Sequence, residues 1–302
     1  MKGLTIALAA LALITSAGPT EANWITLDFP EAIWTRASGI DGGNVVGCYG
    51  DASGYHGFLY DGAVWTTFDF PGAAQTWARG INAGNIVGSY WDTSGNWHGF
   101  LYDATTWTVL DVPGAMGTRA VGIDGAGIVG DYVDASDNRH GFLYDGMTWV
   151  TLDFPGAYST SANGIDGHNI VGSYRRASVR HGFLYDGTTW TAIDAFGEYE
   201  TIAGGIDQGN IVGYYSDTDP HGFMYDGVTW TSLDVSEAIY TNASDIDGDN
   251  IVGSYFDGSG WHGFVYTIPE PGTILLVGLG GFGLLRKQRL AKGCRQIVTD
   301  SE

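Results

Sequence analysis

Apolar and polar positions between Trp24 and Tyr266 fall into short runs with no helical period. Each run is rich in β-branched and aromatic residues and is bounded by Asp-Gly, Gly-Asn or Pro-Gly, the punctuation of short strands joined by tight turns. The runs recur as one phrase. Trp24, Trp65, Trp107, Trp149, Trp190 and Trp230 are spaced 41, 42, 42, 41 and 40 residues apart. Thr35, Thr76, Thr118, Thr160, Thr201 and Thr241 each stand five residues before an Ile, with Ala two residues after the Thr.

Every copy supplies four strands: A (Thr-x-Ala-x-Gly-Ile), B (Asn-Ile-Val-Gly-Ser-Tyr), C (His-Gly-Phe-Leu-Tyr) and D (Trp-Thr-x-Leu-Asp). Tyr-Asp-Gly-x-Thr-Trp between C and D predicts a hairpin, because Asp-Gly accepts the positive φ of a tight turn. Strands B and C carry apolar residues at both parities, as in Ile170-Val171 and Phe183-Leu184, so both faces of the sheet are expected to be covered. Four strands in about 41 residues, packed face to face, make a β-propeller blade. The phase of the repeat closes the argument. The first copy begins at strand D (Trp24 to Asp28) and the last ends after strand C (His262 to Tyr266). Joining these leftovers completes a sixth blade and removes both exposed edges, whereas an open array would want polar caps instead. The expectation is an all-β, six-bladed β-propeller over residues 23–267, closed by its N-terminal strand.

Composition sharpens this picture. Gly numbers 48 of 302 residues, about twice the usual share, as many tight turns require. The whole chain carries a net charge of −21, and between Asn23 and Ile268 there are 30 acidic residues, seven Arg and no Lys. Such a surface repels phosphate backbones, which excludes nucleic acid as a partner and leaves room for weak Ca2+ binding. Cys48 and Cys294 are too few for a disulfide framework.

The two ends read as addresses. Met1-Lys2, an apolar run from Leu4 to about Ala17 and small residues after it predict a secretory signal over residues 1–22, helical in its apolar part. At the other end, Pro269-Glu270-Pro271-Gly272 precedes an apolar, Gly-containing stretch from Thr273 to Leu285 and then Arg286, Lys287 and Arg289. This order over residues 268–289 resembles the PEP-CTERM sorting signal of Gram-negative bacteria. The resemblance implies export, transient membrane insertion through a C-terminal helix, cleavage near the motif by an exosortase-type enzyme, and delivery to the cell surface or the extracellular polysaccharide matrix. A polar tail, residues 290–302, extends past the basic cluster where that signal usually stops. If the tail blocks processing, the protein stays membrane-anchored. The blades themselves resemble the HAF-type extracellular repeat through Gly80-Ile81-Asn82, Ile86-Val87-Gly88 and His98-Gly99-Phe100-Leu101, with Gly in place of the usual Ala after His. That resemblance implies no activity.

Recurrence separates scaffold from function. His56, His98, His140, His181, His221 and His262 occupy one position in all six copies and read as hydrogen-bonded structural groups; a propeller radius keeps them from converging on one metal ion. His168 lies outside the pattern and is expected to be exposed. Asp61, Asp145, Asp186 and Asp226 sit in turns similar to the Asp box of sialidases, a structural motif. No nucleophile elbow, paired-Cys zinc site or phosphate loop is present. Asp245, Asp247 and Asp249 alternate as in a calcium loop, but the twelfth position holds Phe256; the other reading is an ordinary A-to-B turn. Five Trp stand outside the repeat: Trp34, Trp77, Trp91, Trp97 and Trp261. With Tyr55 they fall in or near connections on one face, in blades six, one and two. An arc of aromatics there suits stacking on sugar rings, although the same rings could simply pack their own loops. The expected function is an exported, non-enzymatic structural or glycan-contacting module. The alternative is a secreted glycoside hydrolase or lyase, for which Glu31, Glu198, Glu200 and Glu237 are the candidate carboxylates, needing a separation of about 5 to 10 Å.

Overall fold

The computed structural model describes residues 23–196 and 200–269. They form 24 strands. β1 (Asn23–Leu27) comes first. Blade one is β2 (Trp34–Asp41), β3 (Asn44–Gly50), β4 (Tyr55–Tyr60) and β5 (Trp65–Thr67); blade two is β6 (Gln75–Asn82), β7 (Asn85–Trp91), β8 (Trp97–Tyr102) and β9 (Trp107–Leu110). Blade three is β10 (Gly117–Asp124), β11 (Gly127–Val133), β12 (Arg139–Tyr144) and β13 (Trp149–Leu152); blade four is β14 (Ser159–Asp166), β15 (Asn169–Arg176), β16 (Val179–Tyr185) and β17 (Trp190–Ile193). Blade five is β18 (Glu200–Asp207), β19 (Asn210–Ser216), β20 (Pro220–Tyr225) and β21 (Trp230–Ser232); β22 (Tyr240–Asp247), β23 (Asn250–Phe256) and β24 (Trp261–Thr267) complete the count.

Six antiparallel four-stranded sheets result, and the sixth has the order β1-β24-β23-β22. The N-terminal strand is therefore the outer strand of the last blade, with Asn23 to Leu27 paired to Thr267 to Gly263. This is the closure expected from the phase of the repeat. Among the described residues there is no helix long and apolar enough to cross a membrane. The expected signal over residues 1–22, the hydrophobic stretch after Pro271 and the tail over 290–302 lie outside the described residues.

Each repeated residue type answers a local requirement. The six strand-C Phe residues (Phe58, Phe100, Phe142, Phe183, Phe223, Phe264) are at most 1% exposed and fill the blade centres. The recurrent Thr accepts, through Oγ1, the backbone N–H six residues earlier, as in Phe154 to Thr160 at 3.0 Å and Ala195 to Thr201 at 3.0 Å. That bond pins the turn between one blade's outer strand and the next blade's inner strand. Where strand A reads Ala-x-Gly, the register slips by one residue, as between Ala78 and Gly80. Such a bulge re-aims the intervening side chain, and the six residues so released, Ser38, Arg79, Val121, Asn163, Gly204 and Ser244, line the central channel. The glycine after five of the six bulges lets inner strands abut: a Cβ on Gly39 would lie 2.6 Å from the carbonyl oxygen of Arg79 in the next blade.

The last residue of each inner strand ties the blades into a belt. Asp41 accepts from the N–H of Ala83, Asn82 from Gly125, Asp124 from Gly167, Asp166 from Gln208 and Asp207 from Gly248. Asp247 accepts from Gly42 at 2.8 Å, which completes the circle across the junction of the chain's two ends.

Candidate functional site

The inner strands start on the face that carries the β1–β2, β3–β4 and equivalent connections, called the upper face here, and end at the belt. All six aromatics singled out from the sequence stand at the upper mouth of the channel. Trp91 and Trp97 meet with ring centres 4.9 Å apart, Trp97 lies 4.6 Å from Trp77, Trp77 5.9 Å from Tyr55, and Tyr55 5.1 Å from Trp34. The guanidinium of Arg36 then bridges Trp34, at 5.8 Å, and Trp261, at 4.1 Å, by cation–π contact. Tyr240 and Phe256 extend the arc beyond Trp261, at 6.1 and 5.6 Å. The rings of blades one and two form one series, and Arg36 joins it to Trp261 of blade six.

Trp34, Tyr55, Trp77 and Trp261 line a cavity of about 590 Å³ together with Arg36, Arg79, Tyr214, Asn242 and Cys48. Asn242 Oδ1 is buried beside the cavity and has no hydrogen-bond partner among the described residues. Cys48 is buried and unpaired among the described residues, and burial pushes its thiol up to about 11. It is a packing group rather than a nucleophile. Arg36, Tyr214, Tyr240 and Phe256 escaped the sequence reading; the signal that could have found them is their departure from the repeat at positions flanking the aromatic ones.

The six His residues sit outside this mouth. Each stacks on the strand-B Tyr, as His98 does on Tyr90 at 5.1 Å, and points Nδ1 at the Asp ending strand D, at 2.7 Å for His56 and Asp69. In five blades a second Asp from the B–C connection approaches Nε2 within 3.4 to 3.6 Å. Burial alone would lower the pKa of His98, but hydrogen bonds and charges from Asp111 and Asp92 outweigh it and hold the imidazole above its ordinary value. These are paired scaffold groups. His168 is exposed. Asp61, Asp145, Asp186 and Asp226 cap the C–D hairpins through two backbone N–H groups each, as Asp145 does for Met147 and Thr148.

The alternating acids lie in the β22–β23 hairpin. Asp247 is the belt latch, Asp245 Oδ2 accepts from the N–H of Ile40 at 3.1 Å, and Asp249 is exposed at the turn. Among the described residues, no three His, Cys, Asp or Glu side chains gather as metal ligands. Asp245 occupies the slot that is Gly in the other five blades; burial in the channel wall, augmented by Asp247 and Asp207, raises its carboxyl to about 7. Glu31 and Glu237 are exposed in the turns that precede β2 and β22, and Glu200 begins β18. Glu198 lies outside the described residues. The four cavities along the channel have no Glu in their walls, so the described glutamates do not share a pocket there.

Residues 267–289 match the family model of the PEP-CTERM protein-sorting motif. The C-terminal segment carries that sorting signal. It implies an exported protein, anchored in the membrane and then processed by an exosortase-type enzyme. Of the residues assigned to the signal, Pro269 is the last described one, and Glu270, Pro271, Arg286, Lys287 and Arg289 lie outside the described residues. No curated protein matches the chain. Among solved structures, the chain is similar to the Pyrococcus horikoshii acylaminoacyl peptidase, at 12% identity and a TM-score of 0.51 over 78% of this chain and 44% of that one. It is similar to the β-propeller domain of the Trilobed protease from Pyrococcus furiosus, at 9% identity and a TM-score of 0.49 over 78% and 94% of the two chains. The six-bladed fungal lectin from Aleuria aurantia matches at 13% identity and a TM-score of 0.45, over 77% and 94%. At these identities the likeness concerns the fold.

Proposed function

We propose that this protein is a non-enzymatic module of the cell surface or extracellular matrix, built from HAF-type repeats and delivered by its sorting signal, which contacts glycans through the aromatic mouth of the propeller. The observation that carries the reading is the unbroken series from Trp91 to Trp261 beside a cavity of about 590 Å³. Flat amphipathic rings present an apolar face to the C–H side of a pyranose. Most of these rings touch neighbours in their own blade, but Tyr55 meets Trp77 across the boundary of blades one and two, and Arg36 links Trp261 of blade six to Trp34 of blade one.

The test is retention on immobilised polysaccharides and a glycan array. Trp97→Ala and Trp261→Ala are each expected to weaken retention by about tenfold, the equivalent of about 1.4 kcal/mol, with the thermal midpoint little changed because both rings are half-exposed. Unchanged retention by both variants would remove the glycan-contacting part of the reading.

A further inference from the structure

The seven arginines of the propeller are the only Lys or Arg side chains between Asn23 and Ile268, against 30 acidic residues. Six of them line the channel and its upper mouth. Arg79, Arg119, Arg139, Arg175 and Arg180 line one cavity of about 710 Å³, in which Asp131 and Asp137 are the acidic wall residues. Arg36 lines the neighbouring aromatic cavity, and the two cavities share Arg79 and Tyr214 in their walls. Arg176 reaches the turn before β14, with its guanidinium against Gly156.

Nothing in the repeat demands these cations. The slot of Arg36 and Arg119 holds Trp77, Ser161, Ile202 and Asn242 in the other blades, and that of Arg79 holds Ser, Val, Asn, Gly and Ser. Arg139 and Arg180 take the place before the strand-C His that carries Tyr55, Trp97 and Trp261 on the aromatic side. The mouth is thus weighted: rings, with Arg36 and Arg79 among them, in blades six, one and two, and Arg119, Arg139, Arg175 and Arg180 in blades three and four.

Two of the seven are paired with an acid. Asp131, 2% exposed, is held by Arg119 through both carboxylate oxygens, at 3.1 and 2.7 Å, and also by Arg139. Among the described residues, the other five arginines have no carboxylate in ion-pair contact. Arg175 and Arg180 are direct cross-strand partners in β15 and β16, an arrangement that like charges disfavour unless an anion lies between or above them. Arg79 donates to Ser89 Oγ at 3.2 Å rather than to an acid. Burial, with the neighbouring charge of Arg119, brings its guanidinium down to about 10.

We infer that the arginine half of the mouth is a binding site for the carboxylate groups of an acidic polysaccharide, whose sugar rings lie on the adjoining aromatic half. This rests on the glycan-contacting reading and adds the ligand's class. Guanidinium forks match carboxylates in bidentate geometry. Screening over about 10 Å confines the repulsion from the acidic remainder of the surface, so that the local arginine field decides at contact.

The experiment compares binding of the full chain to oligogalacturonate and to the same oligomer fully methyl-esterified, identical rings with and without charge. The charged form is expected to bind at least about tenfold tighter, and Arg175→Gln/Arg180→Gln is expected to reduce that ratio several-fold, by weakening the charged form far more than the ester. Equal binding of the two forms by the unaltered protein, or a ratio untouched by the double substitution, overturns the carboxylate site and leaves the glycan reading standing. Binding of neither form overturns the carboxylate site and leaves the glycan reading to the array and the Trp variants. Dextran sulfate competing as strongly as the uronate would show that bare charge is read, and would overturn the assignment to a carboxylated ring. Arg175 and Arg180 lie at the rim, so the substitution tests recognition rather than folding; Arg176→Gln, outside the cavity lining, is the control expected to change nothing.

Discussion

Asp245 is the residue at which the repeat is broken for a chemical group. Five blades place Gly after the bulge, and the sixth places a carboxyl whose oxygen accepts from the N–H of Ile40 in blade one. Its pKa is raised to about 7 by burial. A raised carboxyl holds its proton in the folded state at pH values where the unfolded chain has already released it. Stability is therefore lost as pH rises from about 4 to about 7, and the cost is fully present above that window. Asp245→Asn keeps an acceptor for Ile40 and removes the charge. It is expected to stabilise the protein at pH 8 by on the order of 1–3 kcal/mol and by nearly nothing at pH 4, measured by urea unfolding at both values. An equal gain at the two pH values would show that the side chain's packing, not its ionisation, sets its energy. The sequence marked Asp245 only as one of three alternating acids. What it could not show is that two of those carboxylates, Asp245 and Asp247, have their partners in blade one, since each bond spans 205 residues of chain.

At the scale of the strand and turn, much was legible because the same packing problem is solved six times. The recurrent Thr, the Phe of strand C and the Asp-Gly hairpins were visible as repetition, and each has one structural duty. The bulge was not visible: alternation alone assigns Arg79 to a face between blades, whereas the one-residue slip between Ala78 and Gly80 turns it into the channel. Arg79 was consequently counted in the sequence as net charge and not as a channel residue. The Thr bond gives a graded prediction. Thr201→Val leaves the N–H of Ala195, a residue 0% exposed, without its acceptor, whereas Thr160→Val does the same to the half-buried Phe154. A buried unpaired donor costs about 1–3 kcal/mol, so Thr201→Val should fall in that range and Thr160→Val below it, as read by chemical denaturation. Equal losses would mean that water reaches both turns alike.

For the whole molecule, the decisive element is the shared sixth blade. Opening the ring between blades six and one requires separation of their packed faces and loss of the Asp247 latch. Because β1 pairs with β24 while its chain leads directly into β2, it also strains or breaks the five-residue ladder from Asn23 to Leu27, the contact of Trp24 with Phe264 at 5.0 Å and the pairing of Asp28 with His262 at 2.9 Å. A permuted chain isolates that contribution. Tyr266 faces Trp24 across the sheet as Tyr185 faces Trp190, so the Asp-Gly-Thr-Thr turn that joins the latter pair can join the former. A chain running from Glu31 to Tyr266, through that turn, and on from Trp24 to Pro30 has six blades each made of one continuous segment. It retains every blade and the belt, yet its ends meet at a blade boundary instead of inside a sheet. It is expected to fold, to bind glycans as the native order does, and to unfold several degrees lower, with amide exchange accelerated first in β2 and β22, the inner strands that flank the boundary. A permuted chain as stable as the native one would show that face-to-face packing of blades one and six is sufficient to hold the ring, and that the strand exchange adds only direction to the order in which the circle closes.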